Sequence, residues 1–207
     1  MDWRTLLDVV FPPQCAQCNA LGSGLCRTCE PKLQSLAVRF PSLRVAALAS
    51  YEGSVRTAVL AVKDGRRDVA EALGRISARL VVSGSLLVPV PTTAKRLRVR
   101  GLDGVAYMAR CAARIAGARV VAALDRGAGI AQHGRSRTER LSAHGRFTCD
   151  PAAVAGRRVT LFDDVCTTGA TLRDCAGAVR EAGGIVDDAI VVAVANSPQP
   201  WSQPIPS

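Results

Sequence analysis

The chain has 207 residues, enough for one well-filled core and a small appendage, and its 48% hydrophobic content and mean hydropathy of +0.16 suit a water-soluble protein. No apolar run approaches the roughly 18 to 20 residues of a membrane-spanning helix, and Met1-Asp2-Trp3-Arg4 does not open a basic-then-apolar leader, so the cytoplasm is the expected compartment. Net charge is +10 and is carried almost wholly by arginine, which suits phosphate-bearing partners, although an Ala-, Arg-, Gly- and Val-rich composition yields the same excess; with only 4% aromatic residues for stacking, contact with DNA would be nonspecific.

In chain order, residues 2–11 place Trp3, Leu6, Leu7 and Val10 on one side of a short amphipathic helix. A segment ending near residue 33 follows, with Cys15-x2-Cys18 and Cys26-x2-Cys29 seven residues apart. In a reducing compartment such paired knuckles read as metal ligands and not as disulfides. Four thiolates at this spacing reach one Zn2+ tetrahedrally and leave no open position, so Cys15, Cys18, Cys26 and Cys29 are expected to hold a structural zinc. Residues 44–51 read as a strand, 54–63 and 68–82 as helices, and 86–91 as a strand whose Pro89 or Pro91 starts a rigid turn. Residues 102–116 read as a helix and 119–124 as a strand. Residues 126–146 are polar, Gly- and Arg-rich and aperiodic, and are expected to form a lid or an acceptor wall. A strand at 158–162, a helix through Leu172, Cys175, Ala176, Val179 and Ala182, and a strand at 185–195 complete the pattern; the Pro-rich residues 197–207 are expected to be a disordered tail. Alternating strands and helices predict an α/β fold with a mostly parallel sheet flanked by helices. Ligands bind such sheets beyond the carboxyl ends of the strands, which gathers residues 89–101, 126–146 and 163–171 around one cleft.

The stretch Asp163-Asp164-Val165-Cys166-Thr167-Thr168-Gly169-Ala170-Thr171 lies between that strand and that helix. Backbone N–H groups of the turn and of the helix start can cradle a phosphate, with Thr167, Thr168 and Thr171 adding hydroxyl donors and Gly169 allowing close approach. Asp163 and Asp164 can accept hydrogen bonds from vicinal ribose hydroxyls. A Walker A loop would need a lysine here, and none is present. Cys166 lies inside the loop as an oxidation-sensitive candidate, whereas Cys111 and Cys175 read as buried helix residues. His133 and His144 read as exposed loop residues.

The stretch resembles the phosphoribosyl pyrophosphate (PRPP) loop of type I phosphoribosyltransferases. The wider chain resembles the ComF/GntX family of competence-associated proteins, in which a zinc-ribbon-like four-cysteine module precedes a phosphoribosyltransferase-like domain. The resemblance rests on the four cysteines, Val88-Pro89-Val90-Pro91, the basic run Lys95, Arg96, Arg98 and Arg100-Gly101, on Gln132, Glu139, Arg140 and Phe147, and on the loop itself. Leu102, Asp103, Gly104 and Ala143 depart from the family pattern. The resemblance divides the chain into an N-terminal helix and zinc module at 1–33, a phosphoribosyltransferase-like domain at 34–196 and the tail. It implies a glycosyltransferase that binds PRPP with Mg2+ through Asp163, Asp164 and residues 165–171. Lys63, Arg96, Arg98 and Arg100 are candidates for the pyrophosphate. Three functions are compatible with this: transfer to an unidentified acceptor; a non-enzymatic PRPP-sensing binder that acts on DNA or a partner protein of DNA uptake; and a zinc-module adaptor with a vestigial ligand site, against which intact Asp163-Asp164 and Thr167–Thr171 argue.

Overall fold

The computed structural model describes residues 12–126 and 146–195. The helix expected at 2–11, the loop between Arg126 and Arg146 with its two histidines, and the tail lie outside the described residues. A six-stranded sheet organises the rest. Its strands are β1 (Leu36–Phe40), β2 (Leu43–Ser50), β3 (Leu86–Pro89), β4 (Arg119–Val120), β7 (Arg158–Cys166) and β8 (Ile185–Val194), in the order β1-β2-β8-β7-β3-β4. β1 and β2 form an antiparallel hairpin at one edge, and every other pairing is parallel. β5 (Leu124–Asp125) and β6 (Thr148–Cys149) pair antiparallel apart from this sheet.

Helices cover both faces, as a parallel sheet requires. On one face, α1 (Gly53–Lys63), α2 (Arg67–Ser77) and α4 (Gly104–Ala116) bury Val59, Leu73 and Met108 against Leu48, Leu87 and Phe162. On the other, α5 (Pro151–Val154) and α6 (Ala170–Glu181) bury Val154, Leu172 and Val179 against Val45 and Leu161. Caps fix the helix starts: the Asp103 carboxylate accepts the Ala106 N–H at 3.1 Å, and Asp150 accepts that of Ala152 at 2.9 Å ahead of Pro151.

The α/β architecture expected from the alternating pattern is present, with four differences of detail. β7 does not stop at residue 162 but runs through Asp163 and Asp164 to Cys166, because β8 keeps pairing with it as far as Cys166↔Val194. The strand expected at 119–124 is two short pieces, β4 and β5, that belong to different sheets. The second early helix ends at Ser77, and a single 3-10 turn (Ala78–Leu80) follows it. Four elements were not expected: β1, β6, the one-turn helix α5, and a short helix α3 (Ala94–Arg100) that carries the basic run.

Candidate functional site

β7 delivers its two carboxylates to the end of the sheet. Asp163 is the one charged side chain buried among the described residues, at 8% exposure. Its Oδ1 accepts the Asp164 N–H at 2.8 Å, and Asp164 Oδ1 accepts the Val165 N–H at 2.7 Å. Burial pushes Asp163 well above the usual carboxylate range, and the neighbouring Asp164 charge adds to the effect. Lys63, the last residue of α1, places its ammonium 3.2 Å from Asp164 Oδ2. A carboxyl held this far out of water is a reservoir of unfavourable energy that hydroxyl donors or a cation would relieve.

The two aspartates open onto a cleft of about 230 Å³. Lys63, Arg100 and Arg126 bring positive charge to it, Thr92 and Thr171 bring hydroxyls, and Val90, Leu102, Val105 and Met108 form an apolar wall. Asp163, Val165 and Thr171 also line a hollow of about 30 Å³ that is completed by Cys166, Thr167, Thr168, Gly169 and Ala170. Cleft and hollow are therefore contiguous. The hollow sits at the start of α6, whose first N–H groups lack helical partners. Gly169 precedes that helix with φ 71°, in the left-handed region that glycine adopts without strain. The Thr168 hydroxyl accepts the Ala170 N–H at 3.4 Å.

The structure thus brings Asp163, Asp164, residues 165–171, Lys63 and Arg100 to one place. It does not bring Arg98 there; Arg98 is exposed on α3 and does not line the cleft. Arg96 lies on the same helix, and its side chain is outside the description. Arg126, the first residue of the 126–146 segment expected around the cleft, does line it, although sequence reasoning did not name it as a pyrophosphate candidate; it follows β5 with its guanidinium 5.2 Å from the centre of the Phe147 ring. The β5–β6 register, Leu124↔Cys149 and Asp125↔Thr148, carries one step further to Arg126 and Phe147. Gly104, one of the departures from the ComF/GntX pattern, has a steric cause in this chain: a Cβ there would lie 2.4 Å from Val62 Cγ1. Val62 fills room that a larger residue at 104 would need, and makes that part of the wall apolar.

Cys15, Cys18, Cys26 and Cys29 have their sulfur atoms all within 4.8 Å of one another, a geometry that could hold one metal ion. The Gln14↔Leu21 bridge and the bond from Asn19 N–H to the Cys15 carbonyl, 2.9 Å, shape the first knuckle. Bonds from the Cys29 and Glu30 N–H groups to the Cys26 carbonyl shape the second. The thiols oppose one another electrostatically. Partial desolvation raises Cys15, but N–H donors led by that of Cys26 outweigh it and bring it down to about 6. Proton sharing with Cys18 and then Cys26 pushes Cys29 up to about 12. Four sulfurs this close do not all ionise together unless a cation neutralises them, and a thiophilic divalent ion fits that donor set. The module is tied to α2. Arg66 donates to the Gln14 carbonyl at 2.5 Å and to Asp68 at 2.6 and 2.9 Å, Glu30 pairs with Arg75 at 3.0 Å, and a Cβ on Gly24 would lie 2.6 Å from the Asp68 carbonyl carbon.

Cys166 and Cys175 are buried, and burial, reinforced by the Asp163 charge, raises both thiols. Cys111 is likewise buried on α4 and raised. The expected burial of Cys111 and Cys175 is present, and an oxidation-sensitive Cys166 finds no support in so protonated a thiol. Among the described residues no helix is long and apolar enough to cross a membrane.

No family model matches the chain. A 45-residue stretch, 22% of the chain, is 56% identical to an orotate phosphoribosyltransferase of Nocardioides sp. (strain ATCC BAA-499 / JS614), and the match spans 25% of that protein's length. Among solved structures the chain is similar to the allosteric regulatory enzyme of purine biosynthesis, with TM-score 0.44 and 20% identity over 62% of this chain and 26% of that one. Over those 45 residues the sequence is thus similar to that of a phosphoribosyltransferase, in a chain with a mostly parallel, helix-flanked sheet and a four-cysteine cluster.

Proposed function

We propose that the chain binds PRPP at the end of β7 and transfers its phosphoribosyl group to an acceptor not yet identified. The observation that carries this reading is the convergence of the Asp163–Asp164 pair, the 165–171 hollow at the start of α6, and Lys63, Arg100 and Arg126 on one cleft. The 56% identical stretch shared with an orotate phosphoribosyltransferase adds support. In this reading residues 166–171 hold the 5′-phosphate through N–H and hydroxyl donors. Asp163 and Asp164 accept the ribose hydroxyls, and these donors relieve the buried carboxyl of Asp163. Lys63, Arg100 and Arg126 take the pyrophosphate end, with Arg96 and Arg98 from α3 as further candidates. Mg2+ bound with PRPP would supply further charge neutralisation at the pyrophosphate, beside Lys63, Arg100 and Arg126. An amine or base bonds to the anomeric carbon as the bond to pyrophosphate breaks, and the protein contributes alignment and charge stabilisation. The apolar wall of Val90, Leu102, Val105 and Met108 is the surface left for the acceptor.

The four cysteines hold a structural zinc, and the protein works in the cytoplasm. A ComF-type link to competence and DNA uptake is the finer reading. Its support is the sequence resemblance, the net charge of +10 and the basic helix α3, on which Arg98 is exposed. Under the alternative, PRPP is a sensed ligand and the chain is a DNA-binding accessory without turnover. Calorimetric titration of PRPP with Mg2+ tests the site: saturable binding that Asp163→Asn plus Asp164→Asn weakens is expected, and unchanged affinity in that double variant would refute the assignment. Pyrophosphate release with candidate amines and bases supports transfer; binding without release from any of them favours sensing. Salt-sensitive binding to any DNA sequence supports the accessory role, and no binding at low salt removes it.

A further inference from the structure

The phosphate loop has a support that lies outside its own sequence. Phe40, the last residue of β1, presents its ring to Gly169. A Cβ on Gly169 would lie 2.3, 2.6 and 2.7 Å from the ring's Cζ, Cε2 and Cε1 atoms, so the ring lies directly over the glycine's backbone. The guanidinium of Arg173 sits 5.6 Å from the centre of the same ring, and the Arg173 backbone N–H donates to the Gly169 carbonyl at 2.9 Å. Phe40 is thus wedged between the loop and the first turn of α6. Among the described residues the hollow itself is lined by the loop and the start of α6, so Phe40 backs the loop from outside and does not touch its contents. The hairpin is anchored without the ring. β1 pairs with β2 over five residues of each strand, and Arg180 of α6 donates to the Ser42 carbonyl at 2.5 Å.

We propose that Phe40 is a positioning residue for phosphate binding: its ring holds the residues around Gly169 in the left-handed turn that aims their N–H groups into the hollow. Gly169 then answers two demands, a positive φ and the close approach of an aromatic ring. Phosphate recognition by backbone donors needs those donors preset, because each unfixed turn residue adds ordering entropy to binding. Arg173, stacked on the same ring, carries positive charge to the flank of the loop. The consequence for ligand affinity rests on the phosphoribosyl reading above; the contact itself does not.

The test compares two ligands and one ligand-free measurement on wild-type protein, Phe40→Ala and Phe40→Leu. Ribose 5-phosphate engages the loop, whereas Mg2+-pyrophosphate engages the basic side of the cleft. Phe40→Ala is expected to weaken ribose 5-phosphate about tenfold and Mg2+-pyrophosphate less than about twofold, with Phe40→Leu between wild type and alanine. A purely structural loss would weaken both alike. Amide hydrogen exchange at Thr168, Gly169 and Ala170 should quicken in Phe40→Ala without ligand. In a double-mutant cycle, Gly169→Ala should harm ribose 5-phosphate binding less in the Phe40→Ala background, where the methyl has room. Equal loss for both ligands, or additive Phe40 and Gly169 effects with unchanged loop exchange, would overturn the proposal. If wild type binds neither ligand yet the loop amides quicken, the phosphoribosyl reading falls and the support stands.

Discussion

The four-cysteine module and the cleft at the end of β7 are built on opposite principles. All four sulfurs come from one segment, residues 15 to 29, and lie within 4.8 Å of one another. The cleft draws Lys63 from α1, Arg100 from α3, Arg126 from just after β5 and the aspartates from β7. On the zinc reading the ligand organises the module, because mutually repelling thiolates need a cation to stay together. In the cleft the protein organises itself first and holds a carboxyl out of water before any ligand arrives. Removing the ligand should therefore undo the module and leave the cleft standing.

The largest effect tests that contrast directly. Stripping the metal, or Cys18→Ser, should open residues 12–33 to proteolysis while the sheet keeps its cooperative unfolding, since structural zinc contributes on the order of 10 kcal/mol to such modules. About one zinc per chain is expected by metal analysis. Metal-free protein with an intact, protease-resistant module would break the comparison.

Next comes the buried carboxyl. Asp163→Asn should cost roughly 1 to 3 kcal/mol of PRPP affinity, the range for charge-assisted hydrogen bonds. The same change should raise the melting temperature of the ligand-free protein. A carboxyl whose pKa is raised on folding holds its proton more tightly in the folded state than in the unfolded chain. Stability is then full below the ordinary carboxylate range and falls as pH rises from there through the elevated folded value. Asparagine does not titrate, and its side-chain oxygen can still accept the Asp164 N–H. Thermal melts across that window should therefore flatten in Asp163→Asn, and an unchanged slope would mean that Asp163 is not the strained group.

The two regions also differ in how much of them a sequence reveals. The cysteine spacing is a local pattern, and the loop at 163–171 is another, so both are readable without the fold. Lys63 and Arg100 were legible as candidates only through resemblance, because nothing local distinguishes them from solvated charge. Arg126 was gathered to the cleft only as one end of the 126–146 segment and not singled out, because β5 and β6 are two residues each and their pairing spans that segment. Phe40 was missed for a related reason: β1 is an edge strand of five residues, and its meeting with Gly169 depends on β2 lying beside β8. β7 was read too short because Asp163 and Asp164 look like a strand end, whereas pairing with β8 continues past them. Parallel pairing is non-local, and polar residues inside it leave no periodic trace.

A smaller effect lies where the module meets α2. Arg66 joins the Gln14 carbonyl to Asp68, and its side chain is 38% exposed, so water screens the pair. Arg66→Ala should cost about 1 kcal/mol of stability and loosen residues 12–33 in hydrogen exchange with metal still bound. Burial works against the Asp68 charge, but Arg66 prevails and lowers its pKa. Its contribution is present above the ordinary carboxylate value and lost as pH falls through the lowered one. An acid limb of the stability profile that persists in Arg66→Ala would assign that loss to another group.

The smallest effect expected is on ligand binding by Cys166→Ser, and it separates the two kinds of cysteine in this chain. The module's sulfurs are needed as sulfurs, because serine oxygen is a poor ligand for zinc. Cys166 lies in the loop with its side chain turned into the core, 3% exposed, and with its thiol raised by burial. On the proposed reading the phosphate is held there by backbone groups, so serine should change PRPP affinity by less than about 0.5 kcal/mol, the scatter of substitutions that touch no ligand. The cost should fall on stability instead, about 1 to 3 kcal/mol, because a hydroxyl replaces a thiol in an apolar pocket. Alkylation should follow the same division. In metal-free protein the exposed Cys18 should react quickly and Cys166 slowly, since a protonated, enclosed thiol is a weak nucleophile. Rapid labelling of Cys166, or a tenfold loss of PRPP affinity in the serine variant, would place that thiol in the site and not behind it.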